Sequence, residues 1–194
     1  MSTPLFELAA RRGVPFPVHT ERLSLMPFTA EDTDAVWRFN RREEVWTWTS
    51  GRPGSAEQLC EDYLAAGNRL TVQAGETIVG VGKLQVLDAW SQGGPRAEAQ
   101  DALAEIGWTI DPDRAGQGYG TELAGALLEI AFTGLGVRRV EAHAFADNAA
   151  SRRVMEKVGL RHEATFREES LHLTRGWIDG VTYAMLASEH RGRG

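Results

Sequence analysis

The stretch DRAGQGYG, Asp113 to Gly120, places three glycines at alternate positions. It is followed by TELAGALLEIAF, residues 121–132, whose apolar side chains recur at helical spacing. It is preceded by AEIGWTI, residues 104–110, which has the pattern of a strand that ends before Pro112. Glycine weakens a helix and costs backbone entropy, so its repetition at a strand-to-helix junction indicates that the backbone must be bare there.

A bare loop in front of a helix is typical of an anion site, because the first helical N–H groups have no internal partner and the helix dipole is positive at that end. The pattern predicts that Ala115 to Thr121 cradle a phosphate or pyrophosphate, with a simple tight turn as the alternative. The loop lacks the GxxxxGK[ST] pattern of a P-loop. It also departs from the dinucleotide fingerprint GxGxxG, since Thr121 stands where the third glycine belongs, which disfavours a nucleotide-binding oxidoreductase.

Outward from this loop, alternation and helical periodicity predict a mixed α/β or α+β sheet protein. Strands are predicted at 22–26, 70–74, 75–87, 104–110, 139–146, 161–168 and 180–187, and helices at 29–42, 56–66, 121–132 and 148–158. Residues 43–55 and 88–100 are predicted as loops, and 173–180 as the turn between the last two strands.

Composition limits the possible classes of function. A chain of 194 residues with 42% apolar composition suits one domain, which we expect to span residues 1–194. A net charge of −6 argues against nucleic-acid binding, which normally needs a basic face. One cysteine, Cys60, builds neither a disulfide framework nor a thiolate metal site, and we expect no metal. No apolar run reaches the ~20 residues of a membrane span, and no signal peptide is visible, so we expect a cytoplasmic protein.

Two motifs together resemble those of the GCN5-related N-acetyltransferase (GNAT) superfamily. The first is AGQGYG followed by TEL; the second, NAASRRVMEKVGL, begins at Asn148. The order of predicted elements is similar over about residues 18–188, and both ends of that range resemble the Rim-type subgroup, which acetylates the N-termini of ribosomal proteins. Ala115 departs from the Arg or Gln of the first motif, although Arg114 is adjacent. Met155 stands where many members carry a tyrosine that protonates the departing thiolate.

The resemblance implies a mostly antiparallel, twisted sheet with helices on both faces, splayed between the fourth and fifth strands. It implies acetyl-CoA in that gap, and transfer of its acetyl group to a primary amine by direct attack in a ternary complex. The acceptor would be a protein N-terminus or a small molecule, and the enzyme a monomer or homodimer. The alternative is a non-catalytic CoA-binding sensor or regulatory homologue.

The resemblance also implies a set of site residues. Glu105 is the candidate base, with His143 or water as rivals, because a protonated amine must lose a proton before it attacks. Ser151 is the candidate acid, or a helix-capping residue paired with Asn148. The residues expected to hold the cofactor are Trp108, Thr109, Ile110, Arg114, Ala115, Gly116, Gln117, Gly118, Tyr119, Gly120, Thr121, Asn148 and Ser151.

Two further groups of residues have predicted roles. Either Arg152 or Arg153 is expected to meet the 3′-phosphate of CoA. Trp46, Trp48 and the segment 88–100 are expected to wall the acceptor pocket, with burial of at least one of these tryptophans in the core as the alternative.

Overall fold

The computed structural model describes residues 4–94 and 96–192. The strands are β1 Val18–His19, β2 Ser24–Pro27, β3 Arg69–Ala74, β4 Thr77–Leu87, β5 Leu103–Ile110, β6 Arg139–Phe145, β7 Arg161–His172 and β8 Gly176–Leu186. The helices are α1 Leu5–Arg12, α2 Thr33–Asn40, α3 Glu43–Trp46, α4 Ala56–Ala66, α5 Tyr119–Glu129, α6 Ala149–Lys157 and α7 Ala187–Arg191. All strands join one eight-stranded sheet in the order β1-β2-β3-β4-β5-β6-β8-β7. Every neighbouring pair is antiparallel except β5 and β6, which confirms the predicted mixed, mostly antiparallel sheet.

Both faces of the sheet are covered by helices, because its strands carry buried side chains in both directions. On one face α5 contributes Leu123 and Leu127 to the larger core. A Cβ on Gly82 of β4 would lie 3.3 Å from Leu123, so helix and strand are in close contact there. On the other face α2 and α4 pack against Val81, the residue of β4 that precedes Gly82. Each fully buried Leu or Val contributes about 1.5–3 kcal/mol, so both layers support the sheet.

The sheet splays where β5 and β6 part. Their parallel pairing runs only from Leu103 opposite Arg139 to Glu105 opposite Glu141. These two strands are the fourth and fifth of the predicted strands. They are numbered β5 and β6 here because the short strand β1 was not predicted. The predicted splay is therefore confirmed, and it leaves a gap beside the second half of β5.

Three local predictions are corrected. Residues 5–12 form α1, which was not predicted, and Gly13 ends it at φ 71°. The segment 43–55 is not wholly a loop, because it contains α3. The turn predicted over 173–180 is shorter, since β7 runs to His172 and β8 begins at Gly176, whose φ is 74°. Gly180 lies inside β8, where a Cβ would be 2.6 Å from a Glu169 carboxylate oxygen, so this glycine serves a close approach and not a turn.

Candidate functional site

A cleft of about 960 Å³ opens where β5 and β6 diverge, a size that suits a cofactor or substrate. It collects nearly all of the predicted site residues, although they come from four separate elements. Those on its wall are Glu105, Trp108, Thr109, Ile110, Arg114, Ala115, Gly116, Gly118, Tyr119, Gly120, Thr121, His143, Asn148 and Ser151. Gln117 is not on the wall; its carbonyl oxygen accepts a hydrogen bond from Arg22 Nη1 at 2.9 Å.

The glycine loop enters α5 in a conformation that side chains disfavour. Gly116 and Gly118 have φ values of 77° and 86°, and Gly118 is the N-cap of α5. Gly120 has a different reason to be bare, because it packs between Ile110 of β5 and Val154 of α6, each 3.6 Å from a hypothetical Cβ. Among residues 4–94 and 96–192, no acceptor takes a hydrogen bond from the N–H groups of residues 116–120. These donors lie at the positive end of the helix dipole, an arrangement that suits an anion. The predicted range Ala115 to Thr121 is narrowed, because Ala115 N donates to the Pro112 carbonyl at 3.0 Å and Thr121 N to the Gly118 carbonyl at 3.1 Å.

Glu122, in the first turn of α5, joins one side of the loop to the segment between β1 and β2. Its Oε1 accepts from Thr20 Oγ1 at 2.6 Å and from Arg22 N at 2.8 Å, and its Oε2 accepts from Arg22 Nε at 2.7 Å. Burial raises the pKa of Glu122, but the hydrogen bonds from Thr20 and Arg22 outweigh it and hold the pKa below its ordinary value. Sequence reasoning missed these partners because they lie about a hundred residues apart.

The other side of the loop is tied to α2 by Asp111, which is 1% exposed. Its carboxylate accepts from Arg38 Nη2 at 2.7 Å and from Asp113 N at 3.1 Å, and it lies 3.6 Å from Arg42 Nη1. Arg42 also donates to Asp113 at 2.8 Å, which lowers the pKa of that carboxyl. The end of β5 and the start of the loop are therefore fixed from both sides.

The free edge of β5 presents backbone groups to the gap. The Ala102 carbonyl accepts two N–H bonds from the residues that lead into β6, at 2.8 and 3.2 Å. A Cβ on Gly80 of β4 would lie 2.5 Å from the Thr109 carbonyl oxygen, so the backbone groups of Thr109 face β4 and not the gap. Because backbone groups alternate along a strand, Trp108 and Ile110 point their N–H and C=O groups into the gap. Of the predicted Trp108–Ile110 segment, these two are placed to pair with an extended ligand.

The two candidate bases both reach the cleft. Glu105 is half-buried, with its side chain 29% exposed, and its Oε1 accepts from Lys83 Nζ at 2.6 Å. His143 is more exposed, and its Nδ1 lies 2.9 Å from Thr182 Oγ1. Lys83 was not singled out in the sequence, since it is 22 residues from Glu105 and meets it only through the β4–β5 register.

The start of α6 confirms the predicted helix cap. Asn148 Oδ1 accepts from the backbone N–H of Ser151 at 3.0 Å, so the backbone of Ser151 makes the capping bond. Ser151 itself lines the cleft wall. Met155 is 1% exposed and belongs to the larger core, so a methionine fills the place of the tyrosine acid of many superfamily members.

Of the two arginines considered for a phosphate, only one is free to meet it. Arg152 turns inward and donates to Tyr183 Oη at 3.3 Å and to the Ala146 carbonyl at 3.2 Å. Arg153 is exposed and lines the cleft, as does Lys157 one turn later. The helical spacing of Arg153 and Lys157 was the signal that sequence reasoning overlooked.

The acceptor side of the cleft differs from its prediction. Trp48 lines the cleft, whereas the half-buried Trp46 lies under Arg52, whose guanidinium carbon is 4.5 Å from the ring centre. Neither tryptophan is a core residue. The described residues of 88–100 do not line the cleft, and Trp90 among them is 88% exposed, so this segment does not wall the pocket as predicted.

The described part of the chain contains neither a metal-binding cluster nor a helix that could span a membrane. Residues 4–94 and 96–192 contain no group of three or more His, Cys, Asp or Glu side chains arranged to hold a metal ion. No helix described there has the length and apolar character that crossing a membrane requires.

Comparisons with known proteins agree with this geometry. The sequence profile described as an acetyltransferase (GNAT) domain matches residues 22–161. YnaD of Bacillus subtilis (strain 168), an uncharacterised N-acetyltransferase, is 36% identical over 85 residues, which cover 44% of this chain and only 49% of YnaD.

Solved structures show the same fold. A GNAT-family acetyltransferase from Bacillus anthracis superposes with a TM-score of 0.75 at 26% identity, covering 89% of this chain and 99% of its own. RimJ from Mycobacterium smegmatis, in complex with CoA-disulfide, superposes with a TM-score of 0.70 at 21% identity, covering 86% and 83%. The domain profile spans the glycine loop, β5, β6 and α6, which is more than half of the chain. This chain therefore belongs to the GNAT family, whose members are acetyl-CoA-dependent N-acetyltransferases.

Proposed function

We propose that this protein transfers the acetyl group of acetyl-CoA to a primary amine while both are bound in the cleft. When bound, acetyl-CoA supplies the acetyl group as an activated thioester. The amine nitrogen bonds to the carbonyl carbon, the carbon–sulfur bond breaks, and the sulfur leaves as a thiolate that takes up a proton. The observation that carries the proposal is the meeting of the β5 edge with the uncommitted N–H groups of the glycine loop.

The residues at hand fit this donor. The N–H groups of residues 116–120 suit a pyrophosphate, and the free backbone groups of Trp108 and Ile110 suit the amides of a pantetheine arm. Asn148 has committed its oxygen to the helix cap, so its amide NH₂ would serve that arm. Arg114, Arg153 and Lys157 supply positive charge for phosphate groups.

Three groups would accept, donate or stabilise the protons and charges that change during the transfer. Glu105 would accept the amine proton, directly or through water, because it combines half-burial with a place on the cleft wall. A backbone N–H on the β5 edge would stabilise the negative charge that develops on the carbonyl oxygen. Ser151 would donate a proton to the departing thiolate. Because a thiol of this kind has a pKa of about 8.5, the thiolate is already a fair leaving group and this assistance is modest. His143 is the second candidate for the base.

The acceptor is proposed more broadly, as a protein N-terminus or a small-molecule amine. The Rim-type option rests on motif resemblance and on a shared fold. A monomer or homodimer in the cytoplasm, without nucleic acid, stays a prediction from sequence.

Thiol release from acetyl-CoA tests the proposal against the sensor alternative, which is favoured by Met155 standing in place of a tyrosine acid. The amine panel contains alanine- and serine-starting peptides, spermidine, kanamycin and free amino acids, and mass spectrometry checks each product for an added acetyl group. We expect turnover of at least one amine with stoichiometric acetylation. Tight CoA binding without acetylation of any amine would instead support the sensor.

A further inference from the structure

Lys83 is not among the groups proposed to take part in the transfer, yet it contacts the candidate base, Glu105. Its ammonium lies 2.6 Å from Glu105 Oε1, and both residues line the cleft. Their side chains are 26% and 29% exposed, so the pair is partly shielded from water. Glu105 Oε2 has no hydrogen-bond partner among residues 4–94 and 96–192, which leaves one carboxylate oxygen for a proton from the acceptor.

The sheet is built to allow this contact. Lys83 stands opposite Gly107 in the β4–β5 register, and Glu105 is its diagonal neighbour on the same face. Long side chains bridge such diagonals. A Cβ on Gly107 would lie 3.6 Å from Lys83 Cβ and 3.9 Å from its Cδ, so a larger side chain at 107 would compete with the lysine stem. The bare position leaves Lys83 a path along β5.

The neighbouring charges on the flanking strands have partners of their own. Arg69, opposite Lys83 on β3, donates to Asn68 and lies over the Tyr63 ring. Glu141, opposite Glu105 on β6, accepts from Arg139 Nε at 2.7 Å. The other carboxylates and the histidine on the cleft wall are Glu44 of α3, paired with Arg42, Asp62 of α4, Glu169 of β7, bonded to Ser170, and His143 of β6, bonded to Thr182.

An uncompensated carboxylate would create a problem for this chemistry. It would bind the acceptor as an ammonium ion, which has no lone pair with which to attack the thioester. A cation already on the carboxylate opposes the binding of a second one, because like charges repel, and they do so more strongly in a partly shielded site than in water.

We propose that Lys83 is a positioning residue that fixes Glu105 through Oε1 and offsets its charge, so that the site takes the acceptor as a neutral amine. This inference rests on the proposed function and extends it to the protonation state in which the acceptor binds. Lys83 touches neither reacting group and acts through Glu105.

The test compares Lys83→Met, which keeps the apolar stem and removes the charge, with Lys83→Arg, which keeps the charge. Both kcat and KM are measured from pH 6 to 10 at saturating acetyl-CoA, with the amine of the panel that the wild type turns over fastest. For Lys83→Met we expect a lower KM and a kcat profile whose midpoint moves up by about one pH unit. At pH values well below the wild-type midpoint that shift lowers kcat about tenfold, and the loss disappears at high pH. Lys83→Arg keeps the wild-type midpoint.

A purely structural role would lower kcat equally at every pH and would not separate the two variants; either result would overturn the inference. CoA affinity and the thermal midpoint check folding, and Lys83→Gln replaces Lys83→Met if that variant fails to bind CoA. Wild-type turnover with an unchanged Lys83→Met profile rejects only the role of Lys83. Absence of wild-type turnover with every amine rejects the proposed function and this inference together.

Discussion

Gly118, on the cleft wall, has a backbone conformation that a side chain disfavours. Its φ of 86° lies in the left-handed region, and a Cβ there would be 3.3 Å from Arg22 Nη2. Gly118→Ala adds about 1–2 kcal/mol of backbone strain at the N-cap of α5. We expect the dissociation constant for CoA, measured by calorimetry, to rise about tenfold or more.

Gly125→Ala is the matched control for Gly118→Ala. Gly125 lies inside the same helix, and a Cβ there would meet nothing within 4 Å. Alanine is favoured over glycine in a helix by roughly 0.5–1 kcal/mol, so this variant should be as stable as the wild type or more so, with unchanged CoA affinity. Equal CoA affinity for both variants would show that the left-handed glycine is not needed for binding.

At the scale of residues, the sequence predicted correctly those site residues that belong to short local motifs. The glycines, Asn148 and Glu105 each sit in a short motif and reached the cleft as expected. Lys83 and Arg22 escaped prediction because their partners are distant in sequence and depend on strand register and on where α5 lies against β2. Gln117 was predicted to bind the cofactor only because it lies within the glycine loop, and it does not line the cleft.

At the scale of elements, the buried Asp111 joins β5 to α2. Removing both Arg38 and Arg42 would leave this carboxylate buried without a cation, which typically costs about 3–5 kcal/mol. We expect the Arg38→Met, Arg42→Met double variant to lose about that much free energy of unfolding in urea. Arg41→Met, between them on an exposed position, should lose almost none. Equal losses in both proteins would show that charge compensation at Asp111 is not the cause.

A second element-scale prediction concerns how the ion pairs that join β6 and β7 make the stability of the protein depend on pH. Arg139 of β6 reaches Glu163 of β7 across β8, and with Arg161 it lowers the pKa of Glu163 from 4.5 to about 2. A lowered folded-state pKa gives stability that is present above pH 4.5 and lost as pH falls toward 2. Glu163→Gln should therefore lower the free energy of unfolding at pH 7 by on the order of 1 kcal/mol, since the pair is partly exposed.

Urea unfolding at pH 7 and pH 3 measures this difference between wild type and Glu163→Gln. It should shrink at pH 3, because protonation then removes part of the wild-type advantage. Glu76→Gln, in the β3–β4 turn, provides a control with no expected difference at either pH. A Glu163→Gln difference that stays constant between the two pH values would contradict the assignment.

Elements with local start and stop signals were predicted well. The helix over 29–42 opens with a Thr29–Asp32 capping box, and α6 is framed by Asn148 and by Gly159 at φ 82°. The missed α1 carries a comparable signal in its Gly13 cap, but it is short and its buried face is only Leu5, Leu8 and Ala9. The misplaced β7–β8 turn arose because Gly180 has the composition of a turn and serves close packing instead.

At the scale of the whole molecule, one sheet carries every strand of the described residues. Its larger core joins residues of α1, β2 to β6, α5, α6 and β8, and a second core lies under α2 and α4. If residues 1–194 are one domain as predicted, thermal unfolding should be a single transition by both calorimetry and circular dichroism. CoA at 100 times its dissociation constant should stabilise the protein by about 2.7 kcal/mol. Two separate transitions, of which CoA shifts only one, would contradict a single domain.

The global architecture followed from the sequence because two motifs, thirty residues apart, fix the strand–loop–helix–strand order at the centre of the sheet. Alternation alone predicted the strands without their order in the sheet. The acceptor side was predicted least well, since the placement of Trp48, Trp46 and the segment 88–100 depends on how α3 and the following loop lie over the cleft.

The measurement that tests the account most directly is thiol release by Glu105→Gln beside Glu141→Gln, with the fastest amine of the panel. The two glutamates stand opposite each other in register and are each 29% exposed, but only Glu105 lines the cleft. We expect Glu105→Gln to lower kcat by about a hundredfold or more with CoA affinity unchanged, while Glu141→Gln stays near the wild type. A Glu105→Gln enzyme with wild-type kcat would contradict the assignment of the base.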